Sequence, residues 1–133
     1  MRKLSLITLL VPLILICSPG VSAAQSDEAE ALSGSLCLYE HDDFKGGKWC
    51  VASPAYHGWK TDNNLSNNYW TGTSRAVNNG ASSMTNTTLC HAWLHDSYNR
   101  GGDVYNAQAK SRDADLTNNG MDNKVSSLHI DCR

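Results

Sequence analysis

The chain carries one six-residue pattern at two distant places, Asn78-Asn79-Gly80-Ala81-Ser82-Ser83 and Asp122-Asn123-Lys124-Val125-Ser126-Ser127. Short oxygen-bearing side chains at fixed offsets bend a loop by bonding nearby backbone, and the same oxygens suit a hard cation such as calcium. Two copies require a duplicated architecture rather than an isolated turn. The duplication extends upstream, where Asp62-Asn63-Asn64-Leu65-Ser66-Asn67-Asn68 aligns with Asp113-Ala114-Asp115-Leu116-Thr117-Asn118-Asn119, and Leu36-Cys37 with Leu89-Cys90. Tyr39 and Phe44 stand five apart with Gly46 two residues later, and Trp93 and Tyr98 keep that aromatic spacing. The halves are therefore residues 36–88 and 89–133.

The start of the chain reads as targeting. Arg2 and Lys3 precede an apolar run, Leu4 to Ile16, that is too short for a stable bilayer span, and small residues at Val21-Ser22-Ala23 or Ser22-Ala23-Ala24 offer a cleavage site. Residues 1–23 are expected to be a secretory signal peptide and the mature protein to be extracellular. The bulky Ile16 disfavours lipid attachment at Cys17. Residues 24–34, acidic through Asp27, Glu28 and Glu30 and poor in large apolar groups, read as a flexible leader before a domain over 35–133.

Without Arg2 and Lys3, nine of the eleven basic residues remain against thirteen acidic ones, a net charge of about −4. That balance argues against nucleic acid, whose phosphates demand a basic face. No basic amphipathic helix and no second apolar span appears, so no membrane role is expected. The hundred or so remaining residues support one core, and a monomer is expected.

Four cysteines survive processing, Cys37, Cys50, Cys90 and Cys132, an even number that in an exported chain implies two disulfides. Three pairings are open. The repeat favours Cys37–Cys50, placed symmetrically about Asp43-Phe44, and Cys90–Cys132, which open and close the second half. Leu36 and Leu38 alternate with Cys37 and Tyr39, Leu128, Ile130 and Cys132 with His129 and Asp131, and turn residues recur about every ten positions. Asn79-Gly80 and Asn119-Gly120 signal tight turns, and Ala107 to Ala114 is the one stretch expected to manage a helical turn. Short strands in two equivalent halves predict an all-β fold, an antiparallel sandwich of two Greek-key motifs.

These residues resemble the βγ-crystallins, whose motif is an aromatic, four residues, an aromatic, one residue and glycine, followed later by Asx-Asx-x-x-Ser/Thr-Ser. Tyr39-Glu40-His41-Asp42-Asp43-Phe44-Lys45-Gly46 matches the first element and both hexapeptides match the second. Within that superfamily the opening Cys-x-Tyr-Glu-His looks most like the small secreted actinomycete proteins of peptidase inhibitor family thirty-six. The second half departs from the pattern, since Asn99-Arg100 intervenes between Tyr98 and Gly101-Gly102.

The resemblance implies calcium. Each hexapeptide is half a site, offering an Asx side chain, a serine hydroxyl and a backbone carbonyl. The other half's first hairpin completes it through a carbonyl near Glu40 or His41 and near Leu94 or His95. The candidate ligands are Glu40, Asn78, Asn79, Gly80, Ser82, Leu94, Asp122, Asn123, Lys124 and Ser126. With Asp122 as the only hexapeptide carboxylate, affinity is expected at about 10⁻⁵–10⁻³ M, the range of extracellular modules. The plainer alternative is that the loops only shape the fold, Asn and Ser bonding backbone without metal.

No catalytic function is expected. Cys90, His91 and His95 would suit zinc on a helix, but the segment alternates like a strand and Cys90 is wanted for a disulfide. No Gly-x-Ser-x-Gly elbow and no phosphate loop appears. The resemblance implies instead a peptidase inhibitor, with an extracellular protease as partner. Two loops are candidates to meet it: the insertion Tyr69-Trp70-Thr71-Gly72-Thr73-Ser74-Arg75-Ala76, with little counterpart in the second half, and Cys50-Val51-Ala52-Ser53-Pro54. Either can equally be an ordinary surface loop, and Trp49, Trp59 and Trp70 can be core or contact residues. A calcium-stabilised structural or stress protein, or a toxin-like protein, stays open as the alternative. Asn64-Leu65-Ser66 and Asn86-Thr87-Thr88 are glycosylation sequons that matter only in a eukaryotic cell.

Overall fold

The computed structural model describes residues 34–133, so the expected signal peptide, Cys17 and all but the last residue of the expected leader lie outside the described residues. Eight strands alternate with short 3-10 turns: β1 (Ser35–His41), β2 (Lys45–Ala52), β3 (Trp59–Asp62), β4 (Ser83–Asn86), β5 (His91–Ser97), β6 (Gly101–Ala107), β7 (Ser111–Asp113) and β8 (Ser127–Asp131). They build two four-stranded sheets in the orders β2-β1-β4-β7 and β3-β8-β5-β6, every pairing antiparallel. The third strand of each half leaves its own sheet, β3 joining the second and β7 the first. That exchange makes each motif a Greek key and ties the halves into one core.

The period-two pattern explains the layering. Leu36 and Leu38 of β1, Leu94 of β5, and Leu128 and Ile130 of β8 point inward and are fully buried, together with Leu65, Val77, Met84, Leu116, Met121 and Val125 from strands and loops. His129 and Asp131 face outward between them. The stretch Ala107 to Ala114 forms no helical turn: Ala107 ends β6, and Ser111–Asp113 is the edge strand β7, paired with Met84–Asn86. A segment too short to bury a helical face gains more by completing a sheet edge.

Both disulfides form as the repeat suggests, Cys37–Cys50 across directly opposed positions of β1 and β2, and Cys90–Cys132 between the start of β5 and the end of the chain. Closing loops of 13 and 42 residues restricts the unfolded chain by about 3 and about 4 kcal/mol in the chain-entropy treatment. Asn86 of β4 is 1% exposed, its side-chain amide donating to the carbonyls of Cys90, Ala107 and Gln108. The nitrogen a glycan would need is therefore consumed in the fold, which leaves the exposed Asn64 as the accessible sequon.

Candidate functional site

The two hexapeptides meet across a pseudo-twofold axis. Asn79 N–H donates to Val125 O at 3.0 Å and Asn123 N–H to Ala81 O at 2.8 Å, so the second position of each loop binds the fourth position of the other. Both second positions sit in left-handed backbone, φ 55° at Asn79 and 54° at Asn123, a region asparagine enters more readily than bulkier residues. Ser126, buried, donates its hydroxyl to Asn79 Oδ1 at 2.9 Å and reaches Lys124 O at 3.0 Å, linking loop to loop through side chains as well. Ser82 is likewise buried, while Gly80 is partly covered and Asn79, Asn123 and Lys124 face solvent.

The first residue of each loop is the unusual one. Asn78 Oδ1 and Asp122 Oδ1 are buried, and with His95 Nδ1 they are the buried side-chain polar atoms that lack a hydrogen-bond partner among the described residues. A buried oxygen left without a donor costs about 1–3 kcal/mol, and the same position of both repeats carries one. Two hard oxygens beside serine hydroxyls and loop carbonyls fit the donor set of calcium. No cluster of three or more His, Cys, Asp or Glu side chains is gathered as a metal site among the described residues. A cation here would therefore depend mainly on amide, hydroxyl, carbonyl and water oxygens, which suits calcium and disfavours zinc.

The flanking segments repeat bond for bond. Asp62 and Asp113 accept from Asn64 N–H and Asp115 N–H, both at 3.0 Å, and from the side chains of Asn68 and Asn119, both at 2.7 Å. Asn64 and Asp115 in turn cap their 3-10 turns by accepting from Ser66 and Thr117 N–H. Each segment then crosses to the other half. Leu65 N–H binds Ser126 O and Leu116 N–H binds Ser82 O, while Asp43 N–H reaches Ala114 O and Asn99 N–H reaches Asn63 O.

These contacts correct the alignment of the first hairpins. Ser82 N–H donates to Tyr39 O whereas Ser126 N–H donates to His95 O; Ser83 Oγ joins His41 O and Phe44 N–H, whereas Ser127 Oγ joins Ser97 O and Arg100 N–H. Asp43 and Phe44 are left-handed, and so are Asn99 and Arg100, with Gly46 and Gly102 both left-handed two residues on. Tyr39 therefore corresponds to His95 and Phe44 to Arg100, two residues beyond the register set by the Trp93–Tyr98 spacing. Leu94 is not the counterpart of Glu40. It lies inside the second sheet between Tyr105 and Leu128, fully buried, and the counterpart is Asp96, which accepts from Asp103 N–H as Glu40 accepts from Gly47 N–H. The signal was present in the sequence: Gly46 follows Phe44 by two, and Gly102 follows Arg100 by two. An aromatic coincidence outweighed it.

Two acids that the hexapeptide pattern does not include belong to this corner. Desolvation first, slight at this exposed residue, then the negative charges of Asp115, Asp122 and Asp43, push the Asp42 carboxyl above the usual carboxylate range. Asp42 thus stands close enough to Asp115 and Asp122 to feel their charges. The twofold-related positions are Tyr98, Asn64 and Asn78, without a carboxylate. The Glu40 carboxylate points elsewhere: bonds from Arg75, then Gly47 N–H, hold it down to about 2. Cys90, His91 and His95 form no metal set, since Cys90 is in a disulfide and the histidines project from a strand.

Of the candidate contact loops, the insertion is anchored. Trp70 is buried at 2% and plugs the core while Tyr69, bridged to Ala76, stays half exposed at 51%. Trp70 N–H binds Arg75 O, Thr71 N–H binds Lys48 O, and the Arg75 guanidinium pairs with Glu40. In the Cys50–Pro54 stretch Val51 and Pro54 are buried and Ser53 N–H is tied to Gly34 O. Trp49 packs on the core's margin, and Trp59 lies exposed.

No family model and no curated protein matches this chain. Solved structures do. One that concerns the evolution of the eye-lens βγ-crystallin domain fold superposes with a TM-score of 0.60 at 21% identity, covering 84% of this chain and 92% of that one. A βγ-crystallin from Ciona intestinalis gives 0.55 at 19% identity, over 71% and 96%. A βγ-crystallin from an archaeon gives 0.53 at 18%, over 72% and 95%. The described residues therefore adopt the βγ-crystallin domain fold.

Proposed function

We propose that this chain is an exported βγ-crystallin-type domain that binds calcium at two unequal half-shared sites and inhibits an extracellular peptidase. The observation that carries the calcium reading is the pair of unpartnered buried oxygens, Asn78 Oδ1 and Asp122 Oδ1, at equivalent positions of the two loops. Calcium would be held by Asp122 with neighbouring hydroxyl and carbonyl oxygens in one corner, favoured by the charges of Asp42 and Asp115, and by Asn78 with its neighbours in the other. Bound there, the ion supplies the positive charge that satisfies both oxygens and ties the two halves together. Substituting Ser126→Arg places a large cation where the loops join. The expected result is a smaller calcium-induced rise in melting temperature than in the unaltered protein, and an equal rise would refute the assignment.

Peptidase inhibition draws support from the insertion at residues 69–76, a loop pinned at its base by Trp70 and at its flank by the Arg75–Glu40 pair, with Tyr69 presented to solvent. An inhibitory loop needs that combination of rigidity and exposure. Titration of the mature protein against a metalloprotease and a subtilisin tests it. Stoichiometric inhibition of either, weakened by Tyr69→Ala, is expected. No inhibition by micromolar protein would leave a calcium-stabilised structural, stress or toxin-like protein as the reading.

A further inference from the structure

The exchange of β3 into the second sheet has a consequence on that sheet's outer face. Trp59 of β3, His129 of β8, and Trp93 and His91 of β5 form a continuous row of rings. The centroids are 6.2 Å apart between Trp59 and His129, 5.8 Å between His129 and Trp93, and 6.1 Å between Trp93 and His91, and neighbouring planes are tilted by 32–39°. Trp59 is 60% exposed. Two open cavities flank the row, one of about 420 Å³ lined by Trp59, Thr61, Asn63, Arg100, His129 and Arg133. The other, of about 350 Å³, is lined by Trp93, His95, Asn99, Arg100 and His129. Arg100 and His129 belong to both.

The first sheet differs: its cavity of about 520 Å³, at the β4–β7 edge, is lined by Thr85, Asn86, Thr87, Lys110, Ser111 and Arg112, with no ring among them. The positions matching Trp93 and its cross-strand partner Asn106 are Cys37 and Cys50, so a disulfide closes the place where the second sheet opens an indole. The Tyr39–Phe44 pair of the first hairpin, stacked edge to face, is replaced by His95 and Arg100. The ring at the centre of the row is fixed in place, with His129 Nδ1 2.8 Å from Thr61 Oγ1 and Nε2 3.9 Å from an Asp131 carboxylate oxygen. Arg133 is neutralised by Asp131, but the guanidinium of Arg100 has no acidic partner among the described residues. His95 Nδ1, lining the second cavity, is buried without a partner.

We propose that this face binds an acidic polysaccharide, its sugar rings stacking on Trp59, His129 and Trp93 and a carboxylate of the chain meeting Arg100. Flat aromatic faces accept the apolar C–H faces of sugar rings without a deep pocket, while Asn63, Thr61 and Asn99 offer hydrogen bonds at the margins. A free guanidinium recognises a carboxylate through two parallel hydrogen bonds, which selects an acidic over a neutral chain. Because the rings are already ordered, little conformational freedom is lost on binding.

Affinity electrophoresis and tryptophan fluorescence of the mature protein with polygalacturonate test it, in the presence of a chelator because that polymer itself binds calcium. Retardation and a saturable fluorescence change are expected. Trp59→Ala, at an exposed position, should weaken both about tenfold or more with an unchanged melting temperature. Arg100→Asn, which suits the left-handed backbone there, should weaken polygalacturonate binding about tenfold while leaving any binding of a neutral glucan as it was. Absence of retardation, retardation unaltered by Trp59→Ala, or equal binding of neutral glucan and polygalacturonate would overturn the proposal. So would binding of a proline-rich peptide where both glycans fail.

Discussion

Asparagine at the second position of the first hexapeptide does two jobs that other residues separate. Its backbone is left-handed at φ 55° in Asn79, and its side-chain oxygen receives the Ser126 hydroxyl. Alanine keeps neither advantage, so Asn79→Ala should lower stability by about 1–3 kcal/mol, the left-handed cost plus a lost hydrogen bond. Asn79→Gly relieves the backbone and should cost less than Asn79→Ala; urea titrations of both, with chelator present, give the comparison, and equal losses would contradict the role of φ. Glu40 illustrates a different residue logic. Its carboxyl is held down to about 2 by Arg75 and the Gly47 amide, below the 4.5 of an unperturbed glutamate. A depressed folded-state value contributes stability that is full above about 4.5 and lost as pH falls toward 2. Glu40→Gln should therefore flatten the acid limb of the melting-temperature profile between about pH 5 and pH 2, measured in chelator, and an unchanged slope would place that carboxylate's partner elsewhere.

Strands and loops were unequally legible. The alternation in β1 and β8 identifies which leucines face the core, because a two-residue period leaves no other arrangement for a half-buried strand. The segments 62–68 and 113–119 repeat down to individual hydrogen bonds because their Asx residues bond locally, two residues along the chain, and local chemistry is what a sequence displays. The second hairpin misleads because its aromatic positions hold His95 and Arg100, leaving Trp93 and Tyr98 as false landmarks; only Gly102, forced by left-handed backbone, kept the register visible. The joining of β3 to β8 is a long-range pairing that no local spacing reveals, and with it the aromatic row and the acidic corner of Asp42, Asp115 and Asp122 stay hidden. The insertion 69–76 looks like a contact loop in sequence, yet half its aromatic content is structural. Trp70→Ala should cost about 3–5 kcal/mol by urea denaturation, as expected when a buried indole is removed, and a loss below about 1 kcal/mol would mean the loop is not pinned through the core.

Taken as one body, the domain is two Greek keys locked by exchanged strands, reciprocal loop bonds and two disulfides. No helix among the described residues is long and apolar enough to cross a membrane. Its symmetry is incomplete in a way that matters for ligands: at one corner the charges of Asp115 and Asp122 reach Asp42, the mate has Tyr98, Asn64 and Asn78 instead, and among the described residues the aromatic row lies on the second sheet. If the orphaned oxygens at Asn78 and Asp122 await a cation, calcium must stabilise the fold through both corners and more strongly through the acidic one. Isothermal titration of the chelator-stripped mature protein with calcium addresses this most directly, with Asp122→Ala titrated beside it. Two binding events of different affinity are expected, the tighter lying within about 10⁻⁵–10⁻³ M and lost in Asp122→Ala, together with a higher melting temperature in calcium than in chelator. No heat of binding and identical melting temperatures in calcium and in chelator would contradict it, leaving the paired hexapeptides as turns alone.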